Sequence, residues 1–319
     1  MSMSMSMSTF TPDNKKLVLG TALWGWGIER REAYQLLEHF LQSGGSIVDT
    51  ATNYPINKHK EDFGLAVSWM ADWVQQHGDS NLELIVKTGS RDNMGSPDVN
   101  LTPDHIERTA DALRNQFANA LSCISIHWDN RADDEHQMAA IVQTVEAMSK
   151  LEQAGLSIGL SGIKHPELYF KADPALAEKW IIQVKENFMT RAARETYQIW
   201  FPKAKYLAYG INLGGLKIEA PKTNSSIELR QINIPQLLTE RLGYFLNSDH
   251  GFEPRPVTLN ELALAGTYVN PALSGVVIGP RNLEQLENTL AYWELLQQNA
   301  KKNKGLQVFN QLSKDLSPT

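Results

Sequence analysis

Cysteine is almost missing from this chain of 319 residues, which has a single one, Cys123. No intrachain disulfide can form, which favours a reducing compartment, and we expect the cytoplasm. Long apolar runs are missing too, since no stretch approaches the about 20 apolar residues of a membrane span. Basic residues are fewer than acidic ones, 30 against 36. We therefore expect neither a nucleic-acid partner nor a membrane partner.

Two common signatures are also missing. The segment LGTALWGWGIER has three glycines but no G-x-G-x-x-G, which argues against a doubly wound dinucleotide-binding sheet. No H-E-x-x-H occurs, and the run ADDEH is better interpreted as the acidic start of a helix than as part of a metal site. That metal site would combine His127, Asp129, Asp133 and His136. We predict no metal, and a disordered N-terminal tail over residues 1–14.

What the sequence does contain is a regular alternation of apolar strand-like runs with amphipathic helix-like stretches. The strand-like runs are 16–21, 46–50, 82–88, 123–127, 157–162, 180–184, 205–210 and 275–279. Eight strand–helix units at this length predict an α/β fold, a (β/α)8 TIM barrel, in one domain over residues 15–319. The polar interval 217–257 interrupts the alternation. We predict a long loop there, over the C-terminal mouth of the barrel.

Three polar residues lie at the ends of the second, third and fourth strand-like runs: Asp49, Lys87 and His127. Tyr54 follows Asp49 by five residues, and all four would meet at one mouth of a parallel barrel. Tyr54 could then protonate a carbonyl oxygen while a hydride reaches the adjoining carbon. Lys87, kept charged by Asp49, would stabilise the phenolate. His127 would donate a second hydrogen bond to the same oxygen.

The segments around these residues resemble an aldo-keto reductase. The resemblance covers roughly residues 16–295, and two motifs carry most of it. D-T-A-x-x-Y stands at 49–54 with its downstream lysine and strand-ending histidine, and I-G-x-R-x-x-x-Q-L stands at 278–286. The resemblance implies a (β/α)8 barrel that binds NADP(H), in preference to NAD(H), across its mouth. It also implies reduction of an aldehyde or ketone to an alcohol, or the reverse reaction on a sugar or alcohol.

The resemblance further assigns residues by position. The catalytic tetrad is Asp49, Tyr54, Lys87 and His127. The cofactor positions are Thr21, Ala22, Asp49, Ser161, Gly162, Gln183, Tyr209, Gly210, Gly215, Gly279, Arg281, Gln285 and Asn288. Within that set, Ser161 and Gln183 would hold the carboxamide, and Tyr209 would stack on the nicotinamide. Arg281 and the helix start after it would hold the 2′-phosphate. The substrate positions are Trp24, Trp26, Pro55 and Trp128.

The chain departs from the family at three places. Gly162 stands where the family usually has asparagine, and the stretch after Tyr209 is GINLGG where S-P-L-G-x-G is commoner. Asn288-Thr289 stands where a Glu-Asn pair is usual. Two other functions stay open. One is a catalytically weak barrel that senses the cofactor and acts as a binding subunit. The other is a lyase in which Lys87 forms a Schiff base. We expect a small-molecule carbonyl or alcohol substrate, and the sequence predicts neither its identity nor the oligomeric state.

Overall fold

A computed structural model of the protein describes residues 10–78, 81–212, 236–299 and 305–316. Eight parallel strands form a closed barrel in sequence order, with the last strand paired to the first. The strands are β1 (Lys16–Gly20), β2 (Ile47–Ala51), β3 (Glu83–Thr88), β4 (Leu121–Ile126), β5 (Ser157–Ser161), β6 (Trp180–Lys185), β7 (Lys205–Tyr209) and β8 (Gly275–Ile278). The predicted (β/α)8 barrel is confirmed, and the closed sheet excludes the open doubly wound alternative.

Helices connect the strands on the outside of the barrel. They are α1 (Arg30–Gln42), α2 (Leu65–His77), α3 (Pro103–Phe117), α4 (Glu135–Gln153), α5 (Pro166–Ala172), α6 (Ala192–Trp200), α7 (Gln236–Asn247), α8 (Leu259–Val269), α9 (Leu283–Gln298) and α10 (Gly305–Leu316). Within the described ranges, none of them is long and apolar enough to cross a membrane.

Helix starts follow the chemistry of their sequences. The hydroxyl of Thr102 accepts a hydrogen bond from the backbone N–H of His105 at 3.4 Å, and Pro103 occupies the first helical position. The carboxylate of Asp134 caps α4 in the same way, by accepting from Gln137 N at 2.9 Å. The acidic run at 132–136 is therefore the start of a helix, as the sequence analysis expected.

Part of the predicted mouth loop lies outside the described residues. Residues 217–235 of the segment 217–257 belong to that undescribed part, and the remainder contains α7. This helix packs against α8 and α10. In its described part, the long connection between β7 and β8 thus carries α7 and α8 before the last strand begins.

The lower half of the barrel is filled by a compact apolar cluster. Its members are Phe10, Val18, Ile47, Ile85, Cys123, Ile181 and Leu207, with Val277 packed against them. Most of these residues come from strands, where side chains alternate between the barrel interior and the helices. Phe10 belongs to the predicted tail, yet it is buried here, while residues 1–9 lie outside the described part of the chain. The tail therefore stays a prediction for residues 1–9.

Replacement of Phe10 by alanine should destabilise the barrel. Phe10 is 2% exposed, and loss of a buried phenylalanine costs about 3 kcal/mol of unfolding free energy. Ile199→Ala is the control, because Ile199 is 72% exposed and its loss should cost less than about 0.5 kcal/mol. Urea unfolding measures both values. Equal, small losses in the two variants would contradict the packing of Phe10 inside the barrel.

Candidate active site

A buried ion pair lies inside the barrel above the apolar cluster. Lys87 on β3 donates from Nζ to Oδ2 of Asp49 on β2. The other carboxylate oxygen, Oδ1, accepts a hydrogen bond from Nε2 of Gln183 on β6 at 2.6 Å. Burial alone would lower the pKa of Lys87, but attraction to Asp49 and to Tyr54 outweighs burial and raises that pKa. Lys87 is therefore an ammonium, and its charge is held at a fixed place.

Tyr54 lies directly above this ammonium. Its backbone N–H donates to Ala51 O at 3.0 Å, and its backbone carbonyl accepts from Ala66 N at 3.2 Å. These two bonds tie the loop after β2 to the strand and to the start of α2. Lys87 Nζ is 4.8 Å from the centroid of the Tyr54 ring, and a side-chain hydrogen bond to Tyr54 contributes to the raised pKa of Lys87. The phenol and the ammonium are thus brought together.

His127 completes the group at the end of β4. Its backbone N–H donates to Thr88 O at 2.9 Å, and its ring meets the Tyr54 ring edge to face, with centroids 5.4 Å apart. Burial, reinforced by the charge of Lys87, lowers the pKa of His127 well below its usual value. The imidazole is therefore neutral at neutral pH. The structure brings all four tetrad residues together at one rim of the barrel.

Asn53 is a site residue that the sequence analysis missed. Its Oδ1 lies 3.0 Å from His127 Nδ1, and its Nδ2 donates to the backbone carbonyl of Asp92 at 3.0 Å. The side chain is fully buried. Asn53 directly precedes Tyr54 in the sequence, but nothing in the sequence shows that the loop after β3 lies beside it.

The β4 and β5 ends approach each other closely at Gly162. This residue has φ +54°, and a Cβ atom there would lie 3.0 Å from Trp128 Cβ and 3.3 Å from His127 O. An asparagine would be strained at this backbone conformation and would press on Trp128. The glycine is thus explained by the close contact of the two strand ends.

Asp129 follows Trp128 at the end of β4, and both of its carboxylate oxygens are already hydrogen-bonded. It forms an ion pair with Arg131 at 2.7 Å, and the hydroxyl of Tyr169 donates to its Oδ2 at 2.7 Å. Among the residues that the structure describes, no group of three or more His, Cys, Asp or Glu is placed to hold a metal ion.

The residues expected to hold the carboxamide and the nicotinamide ring lie at successive strand ends. Thr21 is buried after β1, and its hydroxyl donates to Asp49 O at 3.1 Å; Ala22 follows it. Ser161 and Gln183 are buried at or near the ends of β5 and β6. Tyr209 ends β7, and Gly210 after it has φ +66°. These positions surround the tetrad, whereas Gly215 lies outside the described residues.

The residues expected to hold the phosphate lie at the start of α9. Arg281 reaches across to the loop after β1, where its Nη2 donates to Gly27 O at 3.3 Å. Its backbone N–H donates to Gln285 Oε1 at 3.0 Å. A Cβ atom at Gly279 would meet nothing within 4 Å, so space is open above the end of β8. Asn288 is exposed one turn further along α9.

Comparison with known proteins decides the family. Residues 16–308 match the profile described as "Aldo/keto reductase family". The chain belongs to the aldo/keto reductase family. Among solved structures, it is similar to "aldo-keto reductase AKR11C1 from Bacillus halodurans (holo form)", with a TM-score of 0.64 and 17% identity. That alignment covers 93% of this chain and 91% of the other, and it shows the fold.

Curated relatives match a shorter part of this aldo/keto reductase. "Protein tas" of Escherichia coli (strain K12) is 23% identical over 157 residues, which are 44% of this chain and 45% of the relative. The protein of the same name from Shigella flexneri matches with the same identity and the same coverage. The chain therefore matches less than half the length of these curated relatives.

The predicted substrate residues of this aldo/keto reductase do not all lie at the mouth surface. Trp24 is fully buried in the core, whereas Trp26 is half-buried. Pro55 is buried beside the loop after β1, next to Tyr54. Trp128 is half-buried, and its ring lies 4.2 Å from the His127 ring, between centroids. The indole N–H of Trp128 is buried and has no hydrogen-bond partner among the described residues.

The lowered pKa of His127 predicts a contribution to acid sensitivity. Below about pH 6.5, the ordinary pKa of histidine, the unfolded chain binds a proton at this position that the folded chain does not bind. Stability is therefore present above that pH and is lost as the pH falls. His127→Gln removes this difference, so between about pH 7.5 and 5.5 it should lose roughly 1 kcal/mol less unfolding free energy than the wild type.

Urea unfolding at the two pH values measures these losses. Each protein is referred to its own value at the higher pH, which removes the packing cost of the substitution. Equal losses in the two proteins would show that His127 binds a proton as readily when folded as when unfolded.

Proposed function

We propose that this aldo/keto reductase is an NADP(H)-dependent oxidoreductase that reduces an aldehyde or ketone to an alcohol, or runs the reverse reaction on an alcohol or sugar. The observation that supports this function is the stack of Asp49, Lys87 and Tyr54 at the barrel mouth, with neutral His127 beside the phenol. Each group has a chemical task in the protonation of a carbonyl oxygen.

Tyr54 is the proton donor in this proposal. A phenol is a weak acid with an ordinary pKa of about 10, and a neighbouring cation favours the phenolate that remains after proton transfer. Lys87 supplies that cation, and Asp49 keeps it protonated despite its burial. In the reverse direction the Tyr54 phenolate accepts the proton of an alcohol. The chain thus places an acid–base group in a largely dry site where its charge is stabilised.

The residues at the mouth fit a nicotinamide dinucleotide. Ser161 and Gln183 are buried polar side chains near the tetrad, suited to a carboxamide. Open space above Gly279, the start of α9 and the guanidinium of Arg281 together suit a phosphate. When bound there, NADP(H) would supply or accept the hydride. Asp49 and Gln183 are hydrogen-bonded to each other, so the side chains on the buried side of this site are held in place.

The Schiff-base lyase is a weaker candidate. A lysine that attacks a carbonyl must be neutral, and enzymes lower its pKa for that purpose. The pKa of Lys87 is instead raised, and Asp49 holds its ammonium. A cofactor-sensing binding subunit is also less well supported. Its support is the departure from the family at Gly162, and that glycine has a structural reason in the close approach to Trp128.

Tyr54→Phe should abolish most of the activity. The variant keeps the ring over Lys87 but has no proton to give, and a general acid contributes about 10²–10⁴ in rate. The assay follows NADPH oxidation at 340 nm with 4-nitrobenzaldehyde. Tyr34→Phe is the control, since the Tyr34 hydroxyl donates to Trp69 O at 2.8 Å on the outside of the barrel. A Tyr54→Phe activity within threefold of the wild type would exclude Tyr54 as the acid.

Arg281→Met should weaken the use of NADPH far more than the use of NADH. The guanidinium would pair with the 2′-phosphate, which NADH lacks, so KM for NADPH should rise by about tenfold or more. KM for NADH should change little. Steady-state kinetics with both cofactors measure the two values. An equal change for both would argue against a phosphate at Arg281, even if carbonyl reduction itself were found.

A further inference from the structure

The two ring nitrogens of His127 have different surroundings. Nδ1 lies 3.0 Å from Asn53 Oδ1. Nε2, on the opposite edge of the ring, has no hydrogen bond to any residue in the described part of the chain. A neutral imidazole carries one proton, so the position of that proton decides whether Nε2 donates or accepts.

The second contact of Asn53 fixes its amide orientation. Asn53 Nδ2 donates to the carbonyl oxygen of Asp92 at 3.0 Å. If the amide were turned round, its oxygen would face another acceptor, and its NH₂ group would face His127. The side chain is fully buried, so water does not replace the lost bond. Oδ1 therefore faces His127, and since Oδ1 has no hydrogen, Nδ1 is the donor.

The loop after β3, whose Asp92 carbonyl accepts from Asn53, is itself well anchored. The carboxylate of Asp92 accepts from Met94 N at 2.8 Å and from Ser96 Oγ at 2.7 Å, which closes the loop after β3 into a turn. The neighbouring Asn93 donates from Nδ2 to His59 O at 2.6 Å. The carbonyl of Asp92 thus stays in place, and so does the amide that bonds to it.

His127 is neutral, because burial and Lys87 lower its pKa. With its single proton on Nδ1, the ring presents the lone pair of Nε2. A carbonyl oxygen placed against this nitrogen would set two acceptors against each other. A hydroxyl placed there would donate a hydrogen bond.

We propose that Asn53 is a positioning residue that holds the proton of His127 on Nδ1, so that Nε2 accepts a hydrogen bond from a substrate hydroxyl beside the reacting carbon. This inference rests on the proposed function and names its substrate class: carbonyl compounds with a hydroxyl on the neighbouring carbon, and the matching diols. Tyr54 alone then protonates the carbonyl oxygen. The donor role expected for His127 from the sequence is replaced by an acceptor role.

Nitrogen NMR of the full chain with ¹⁵N-labelled histidine tests the proton position directly. The chain has 8 histidines, and the spectrum of His127→Gln identifies the signals that belong to His127. At neutral pH we expect Nδ1 protonated and Nε2 unprotonated. In Asn53→Leu, which cannot accept from Nδ1, the proton should move at least partly to Nε2. Asn270→Leu is the matched control, because it removes an asparagine whose side chain donates to Glu186 Oε1 and touches neither His127 nor the loop of Asp92.

Kinetics of the same proteins test the substrate class. The pair is 2-hydroxypropanal and 2-methoxypropanal, which both carry oxygen beside the carbonyl, although only the first can donate. We expect the ratio of their kcat/KM values to fall about tenfold from wild type to Asn53→Leu, the loss of one hydrogen bond. The ratio should stay at the wild-type value in Asn270→Leu. The methoxy group is bulkier in every variant, so its size cancels in this comparison.

The possible outcomes distinguish a failure of this inference from a failure of the proposed function. A protonated Nε2 in the wild-type spectrum overturns the inference, whether or not the variants fold. If 4-nitrobenzaldehyde is reduced and the hydroxy-to-methoxy ratio is the same in Asn53→Leu and wild type, only the inference fails. If no aldehyde is reduced at all, the proposed function fails and the substrate class fails with it.

Discussion

The ion pair between Lys87 and Asp49 is the interaction on which the rest of this site depends. Charges are costly to bury, and a buried pair is retained only when its geometry is good and its remaining hydrogen-bonding groups are satisfied. Here the second carboxylate oxygen is occupied by Gln183 from across the barrel. Three strands therefore fix one charge in the centre of the mouth. The phenol of Tyr54 lies above that charge and the imidazole of His127 lies beside it, so both groups interact with it.

The same cation acts on both neighbours. It attracts the Tyr54 ring and favours a phenolate, and it helps to keep His127 neutral by lowering its pKa. In the proposed mechanism, this one buried positive charge thus assists proton transfer from Tyr54 and, together with burial, keeps His127 uncharged. The contact with Asn53 adds the remaining detail, since a neutral imidazole has two tautomers and the charge alone does not choose between them.

Much of this arrangement could be predicted from the sequence. Apolar runs ending in a polar residue mark the barrel strands, and parallel strands end at one rim, so Asp49, Lys87 and His127 had to lie near each other. The sequence also shows that Gly162 departs from the family pattern, but not why. The structure supplies that reason in the distance from its missing Cβ to Trp128.

Other features depend on contacts that no local pattern reveals. Helix α8 was missed because its sequence, LNELALAGTYV, is apolar almost throughout and has no amphipathic period; it is buried among α7, α9 and α10. Helix α5 has only 7 residues, which is too short for a helical pattern of apolar residues to be recognised. Phe10 lies outside every apolar run of the sequence, and its burial becomes evident only in the closed barrel. The orientation of Asn53 depends on Asp92, because the loop after β3 lies beside the loop after β2.

The most direct test of the account follows the hydride. NADPH deuterated at C4 of the nicotinamide, on either face, is incubated with 4-nitrobenzaldehyde, and the alcohol is analysed by mass spectrometry. The account predicts that wild-type protein places one deuterium on the carbinol carbon with one of the two labelled forms. It predicts no labelled alcohol above background from folded Lys87→Met, which lacks the ammonium. Labelled alcohol formed equally fast by both proteins, or alcohol without deuterium, would contradict it.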